Sequence, residues 1–368
     1  MQLLHTPEGV RDIYNDECRK RTYISNILQN TIELFGFEQI ITPTFEFFEV
    51  FSAERGTVAA SDMYKFFDRD GNTLVLRPDI TPAVARCIAK YYRDETQPVR
   101  LFYNGNTFKN GLELRGDLKE TTQIGAELIN DPSVEGDAEM IALTCECLKN
   151  TGLKDFRVEI GDAGFFKALA EEAGLTADEI ESLRASVIDK NTFGMEDILE
   201  NKSISNETKQ ALYKLPELFG NMQSLPDVKK ITSNAKAQKA LDRLEELFEL
   251  LKVYGCEEYI TFDLGALSKY EYYTGITFSA FTYGTGNPVL TGGRYDSLVS
   301  QFGKDAPAIG LAFLLDELMA ALSRQKLLPE LKDETEVVEY GDSYEEAVKK
   351  ATELRKSGIK CKLVKKNI

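Results

Sequence analysis

Histidine is almost missing from this sequence: His5, in the N-terminal segment, is the only one. Catalytic relays of the Ser–His–Asp or Cys–His kind, and metal centres built on imidazole, each need a histidine within the site. A lone one near the N-terminus argues against all of them. Cysteine is sparse and scattered, at Cys18, Cys87, Cys145, Cys147, Cys256 and Cys361. Only Cys145 and Cys147 are close, and at i, i+2 on an expected helix they point to different faces. That pattern reads as reduced thiols, not as a zinc site or a disulfide framework. No apolar run reaches the roughly 18 residues of a membrane span. The opening MQLLHTPEGVRD lacks the basic segment and apolar core of a secretory signal, so a cytoplasmic location is expected. Basic residues are also few: 44 Lys and Arg against 60 Asp and Glu give a net charge of −16. Non-specific affinity for nucleic acid comes from basic side chains neutralising phosphates, so this balance lowers the expectation of RNA as a partner.

What is present reads as a mixed pattern of helices and strands. At 43% hydrophobic and 28% charged the chain has a globular composition, and its length suffices for two or three domains. After a loop through Glu8–Asp12, apolar residues at 23/24, 27/28 and 34/35 predict a helix over 18–35, stopped by Gly36. The aromatic and β-branched stretch 37–51 predicts a strand kinked at Pro43. Residues 63–70 and 73–77 predict a hairpin around Gly71-Asn72. A helix over 84–92, strands over 99–108 and 121–129 joined by a polar loop, a helix over 133–149 and a strand over 156–160 follow. Strand signals then fade, and helical segments succeed one another at 164–173, 176–190, 194–201, 206–215 and 234–253. Alternation returns at 276–283 and 288–291, a second hairpin, and 308–318 reads as a strand running into a helix. An acidic linker from 333 leads to a strand over 336–339, a helix over 343–357 and a strand over 360–364. The basic end (Lys360, Lys362, Lys365, Lys366) reads as solvated surface.

Three motifs stand in a telling order: Tyr272-Tyr273-Thr274-Gly275, then Gly292-Gly293-Arg294-Tyr295-Asp296, then Pro307-Ala308-Ile309-Gly310 before a helix. Together they resemble the histidine-specific signatures and motif 3 of histidyl-tRNA synthetases, which are class II aminoacyl-tRNA synthetases. The stretch ending at Phe51 is similar to motif 1, and the strand–loop–strand over 99–129 to motif 2. The resemblance implies an α+β fold with a mixed, mainly antiparallel sheet flanked by helices. Residues 1–163 and 254–330 would form this domain, 164–253 a helical insertion, and 331–368 a short β–α–β piece similar to the opening of the anticodon-binding domain. Motif 1 implies a homodimer.

The resemblance also implies a pocket. Arg77-Pro78-Asp79-Ile80-Thr81 is similar to the R-P-E-x-T element, whose acid and threonine hold the amino acid's α-amino group; a carboxylate suits an ammonium. Taken alone, Asp79 or Thr81 would read as a cap of the following helix. Gln123 and Glu127 fall where the family holds its amino acid, and four apart in a strand they share a face. With Tyr272, Tyr273 and Tyr295 they imply a histidine-sized pocket in which the glutamate and a tyrosine read the imidazole nitrogens.

The nucleotide side departs from the family. Activating a carboxylate with ATP gathers negative charge on phosphorus, so the site needs fixed cations. The family supplies arginines from motif 2, from motif 3 and from just before the Tyr-Tyr signature. Here motif 2 reads Phe108-Lys109-Asn110-Gly111: Lys109 keeps a charge without the bidentate fork, and Gly111 replaces the purine-contacting acid. The motif 3 arginine is Glu317, a charge reversal, and the third aligns with Ser268, beside Lys269. A kept amino-acid pocket beside a damaged ATP site resembles the regulatory subunits of ATP phosphoribosyltransferase, paralogues of the synthetases. That resemblance implies no catalysis, cofactor or metal of the chain's own. It implies assembly with a short-form catalytic subunit, L-histidine as a feedback effector, and no tRNA. Two other readings use the same residues: a divergent histidyl-tRNA synthetase, and a stand-alone amino-acid-binding module or adenylating enzyme for another acid.

Overall fold

A computed structural model describes residues 4–51, 58–111, 118–200, 202, 204–267, 272–331 and 334–366. It divides into two compact units, Met1–Ile13 with Arg21–Leu328 and Tyr14–Lys20 with Pro329–Ile368. The strands of the larger unit are β1 (Glu38–Gln39), β2 (Phe45–Phe47), β3 (Lys65–Phe67), β4 (Thr73–Leu76), β5 (Val99–Phe108), β6 (Glu120–Ile129), β7 (Phe156–Asp162), β8 (Phe219–Gly220), β9 (Ile260–Asp263), β10 (Ile276–Thr282), β11 (Leu290–Arg294) and β12 (Ala308–Leu314). Nine of them form one sheet in the order β1-β5-β6-β12-β11-β10-β7-β9-β8. Only β1–β5 and β7–β9 run parallel, so the sheet is the mixed, mainly antiparallel one expected.

Successive side chains of a strand point to opposite faces, and the two faces of this sheet carry different cores. Phe102 of β5 joins the larger core, with Ile24, Leu28 and Ile32 of helix Asn15–Leu34, Ile141 of helix Val134–Asn150 and Leu244 of helix Ala235–Val253. Its neighbours Leu101 and Tyr103 join the second core, with Ile80, Val84 and Ile88 of helix Thr81–Tyr91, Ile80 being its N-cap, and with Tyr272 and Tyr295. The pocket lies on this second face. The helical stretch is found as Ala163–Glu172, Ala177–Ile188, Thr192–Glu200, Asn206–Lys214 and Ala235–Val253. Its apolar residues Phe165, Leu183, Leu199 and Leu212 run into the larger core without a break.

Two expected strands are corrected. The stretch 37–51 is not one strand: it splits into β1, β2 and a single helical turn, Phe48–Phe51. Pro43 lies in the gap. There the Arg77 guanidinium takes the carbonyl oxygens of Thr42 (2.9 Å) and Pro43 (3.3 Å), acceptors that a sheet ladder would otherwise use. The short run 288–291 begins at Leu290 and continues through Gly292-Gly293-Arg294. Glycine is depleted in strands, which hid this extension.

Strands β2, β4 and β3 form a separate small sheet. Its aromatic residues Phe45, Phe47 and Phe66 share one exposed face, with Phe67 exposed on the other, and the Phe45 and Phe66 rings meet edge to face at 5.8 Å. In the smaller unit β13 (Glu336–Tyr340) and β14 (Cys361–Lys365) pair in parallel around helix Tyr344–Lys356, over Val338, Ala347 and Ala351. Among the described residues no helix is long and apolar enough to cross a membrane.

Candidate functional site

Asp79, Thr81, Gln123, Glu127, Tyr272, Tyr273 and Tyr295 converge on one cavity, together with Thr291 and Gly310. The start of helix Thr81–Tyr91 supplies the first two. Asp79 Oδ1 accepts the Ile80 N–H (2.7 Å) and the Thr81 N–H (3.4 Å), while its Oδ2 takes the Tyr272 hydroxyl at 3.4 Å. Asp79 therefore serves as helix anchor and pocket wall at once. Burial raises its carboxyl above the usual range, and the two N–H donors and Lys109 oppose that rise. The far end of the helix is held by Lys304, whose ammonium donates to the Tyr92 carbonyl at 2.6 Å.

Gln123 and Glu127 share a face of β6, and Glu127 is 1% exposed. Its Oε1 accepts the Thr81 hydroxyl at 2.7 Å and its Oε2 the Tyr295 hydroxyl at 2.6 Å. Burial pushes its pKa up to about 8, against the pull of these two donors. Gly310 of β12 stands directly opposite Glu127, and a Cβ there would overlap the carboxylate. The glycine of the Pro-Ala-Ile-Gly signature is thus a space requirement of the pocket.

Among the described residues, the buried Gln123 Oε1 has no hydrogen-bond partner. An acceptor in that state costs about 1–3 kcal/mol, which a ligand N–H would relieve. The space these residues leave is about 20 Å³, room for roughly one water molecule. It is smaller than the histidine-sized pocket expected from the sequence. The reason is the closure of Thr81 and Tyr295 on Glu127, and the edge-to-face packing of Tyr272 on Tyr273 (4.8 Å) and on Tyr295 (5.8 Å).

Two buried residues escaped the sequence reading. Tyr103 lies beside Glu127, and burial and that neighbour raise its phenol well above the ordinary value; its cross-strand position opposite Gly125 was the available signal. Asp137, fully buried, accepts from Arg294 Nη2 (2.6 Å) and Nε (2.8 Å) through one oxygen and from Arg243 Nε (2.8 Å) through the other. Arg294 immediately precedes Tyr295, so this clamp fixes the strand end that delivers the Tyr295 hydroxyl. Nothing in the local pattern around Asp137 marks it.

Next to the pocket lies a cleft of about 730 Å³, and Tyr273 and Thr291 line both. Lys109, Gly111 and Glu317, three of the degenerate nucleotide-site positions, line the cleft; Ser268 lies outside the described residues. Glu317 is held in place: Thr285 Oγ1 donates to it at 2.6 Å and Asn287 Nδ2 at 2.9 Å. The preceding Asp316 takes Arg21 at 2.7 Å and the Thr122 N–H at 2.9 Å. Among the described lining side chains, Asp62, Glu159, Asp263 and Glu317 face a single cation, Lys109. Burial raises the Glu159 and Asp263 carboxyls. A triphosphate would meet repulsion where catalysis of activation needs fixed positive charge.

A family model described as histidyl-tRNA synthetase matches residues 9–318. A relative from Ruminiclostridium cellulolyticum named ATP phosphoribosyltransferase regulatory subunit is 43% identical, over 87% of this chain and 77% of its own length. One of the same name from Clostridium kluyveri is 37% identical over 96% and 92%. Among solved structures, an ATP phosphoribosyltransferase regulatory subunit/histidyl-tRNA synthetase from Bacillus halodurans superposes with a TM-score of 0.85 at 31% identity, covering 99% of this chain and 93% of that one.

Proposed function

The chain belongs to the histidyl-tRNA synthetase family and, within it, to the ATP phosphoribosyltransferase regulatory subunits; from that premise we propose how it works. It is a non-catalytic subunit that assembles with a short-form phosphoribosyltransferase and supports the first step of histidine biosynthesis. One observation carries the loss of catalysis: Glu317, at the position of the family's motif 3 arginine, lines the cleft beside the pocket and is pinned there by Thr285 and Asn287. ATP–pyrophosphate exchange with histidine tests this. No exchange above background is expected, and exchange would favour a divergent histidyl-tRNA synthetase.

L-Histidine is the proposed effector, with Asp79, Thr81, Gln123, Glu127, Tyr272, Tyr273 and Tyr295 as its contacts. Asp79 suits the α-ammonium, and Glu127 with Tyr295 suits the imidazole. The pocket as found holds about one water, so histidine enters only if Thr81 or Tyr295 parts from Glu127. A ligand that favours the opened arrangement shifts the population toward it, and such coupling is typically about 1–3 kcal/mol. Feedback inhibition follows if the catalytic partner prefers the closed arrangement. The exposed aromatic face of the small sheet supports a homodimer through the motif 1 region. The acidic net charge accords with no tRNA partner, and the free thiols with a cytoplasmic setting.

A further inference from the structure

Helix Thr81–Tyr91 is tied at one end to the pocket and along its side to the small sheet. Its first residue, Thr81, closes on Glu127 at 2.7 Å. Further along, Arg86 Nη2 donates to Glu46 Oε1 of β2 at 2.6 Å. The Glu46 side chain is 8% exposed, and its strand neighbours Phe45 and Phe47 point to the opposite, exposed face. The chain makes a second tie, since Arg77 to Ile80 are all that separates β4, the central strand of the small sheet, from the helix. Phe302 makes a third: it packs against the pocket-side core and against the small-sheet core of Val50, Phe51, Met63 and Val75.

The two sides of the Glu127 closure are not equally free. Tyr295 is fixed, because its N–H donates to the Ala308 carbonyl at 2.7 Å and Asp137 clamps Arg294 before it. Thr81 begins a helix whose N-cap, Ile80, makes no side-chain cap. The Asp79 bonds to the Ile80 and Thr81 N–H groups are local and travel with the helix start. A ligand that parts Thr81 from Glu127 therefore displaces the helix start, and Arg86 carries the displacement to Glu46. Arg86 Nε is buried with no hydrogen-bond partner among the described residues. A guanidinium that uses one arm can shift to hold a carboxylate with two, so the pair has a second arrangement to move into.

We propose, on the reading that histidine fills the pocket and two copies pair through the small sheet, that the Arg86–Glu46 pair couples these two events so that each weakens the other. The aromatic face as found belongs to the closed pocket. When the helix start is displaced, Glu46 moves with Arg86, and Phe45 and Phe47 move with Glu46, so the face no longer matches its copy. Coupling between sites is reciprocal. A dimer that favours the closed pocket binds histidine more weakly than the monomer, by the factor per subunit by which histidine weakens the dimer.

The test is calorimetric titration of L-histidine into four full-length chains, with sedimentation reporting the oligomeric state of each. They are the unmodified chain, Phe47→Asp, Glu46→Gln with Arg86→Met, and all three substitutions together. Phe47→Asp, as a monomer, should bind histidine at least about fivefold more tightly than the unmodified dimer, the lower end of ordinary coupling between sites. Glu46→Gln with Arg86→Met removes the pair and leaves no buried charge behind. In that background Phe47→Asp should shift the affinity by less than about twofold, as independent sites do. Arg86→Lys, a milder change that keeps the charge and loses the fork, should also shrink the difference. Equal affinity of the unmodified dimer and the Phe47→Asp monomer overturns the coupling and leaves the pocket in place. A fivefold difference that survives removal of the pair overturns the role of Arg86 and Glu46. Absence of histidine binding in all four chains, or a Phe47→Asp chain that stays a dimer, overturns the reading beneath the coupling and the coupling with it.

Discussion

Tyr295 donates its phenol to Glu127 Oε2 at 2.6 Å, and Thr81 closes on the other oxygen at 2.7 Å. These contacts join three parts of the chain far apart in sequence. They also occupy the carboxylate that an imidazole would have to reach.

Removing that carboxylate should abolish ligand recognition without removing the fold. Glu127→Ala is expected to weaken L-histidine binding ten- to a hundredfold, on the order of 1.4–2.8 kcal/mol for buried hydrogen-bonding groups left without their partner. Titration calorimetry checks it. An unchanged Kd would move the histidine site elsewhere.

Glu127 should also leave a signature in the pH dependence of stability. Its native pKa, about 8, stands above the ordinary glutamate value of 4.5. Between those values the native state holds a proton that the unfolded chain has released. Stability contributed by this group is therefore full below about 4.5 and falls as pH rises toward 8. The slope approaches roughly 1.4 kcal/mol per pH unit. Urea unfolding of the unliganded protein at pH 5.5, 7 and 8.5 should show that decline, and Glu127→Gln should flatten it. Parallel curves for the two proteins would count against a protonated Glu127.

The Asp137 clamp should matter for the whole larger unit. Asp137→Ala leaves the buried Arg294 with only the longer Asp296 pair (3.2 Å) and two backbone carbonyls, and breaking one side of a buried pair costs about 3–5 kcal/mol. Chemical denaturation should register a loss of that size. A loss below about 1 kcal/mol would mean that Arg294 finds other partners.

Much of this was readable in advance, for identifiable reasons. Gln123 and Glu127 share a face because strand side chains alternate, and the glycine-bearing signatures mark where backbone must make room, as Gly310 does for Glu127. The helices at 164–253 followed from spacing alone. What stayed hidden depends on contacts between distant segments. Pro43 announced a kink, but not that Arg77, thirty-four residues on, would take the carbonyls of the gap between β1 and β2. The closure of the pocket arises from Thr81 and Tyr295 meeting on Glu127, a distance in space that no local pattern encodes. Asp137 looks like any acid in the first turn of a helix until Arg294 and Arg243 arrive from elsewhere.

The exposed aromatic face of the small sheet should hold two copies together. Phe47→Asp places a charge on that face, and the chain should sediment as a monomer where the unmodified protein sediments as a dimer. Equal sedimentation of both would remove this face from the interface.

The most direct measurement is phosphoribosyltransferase turnover by a short-form catalytic subunit, taken alone, with this chain, and with this chain plus L-histidine. Turnover should rise when the chain is added and fall again with histidine, and Glu127→Ala should keep the rise while losing the fall. Unchanged turnover, with the two proteins eluting separately, would contradict the regulatory role.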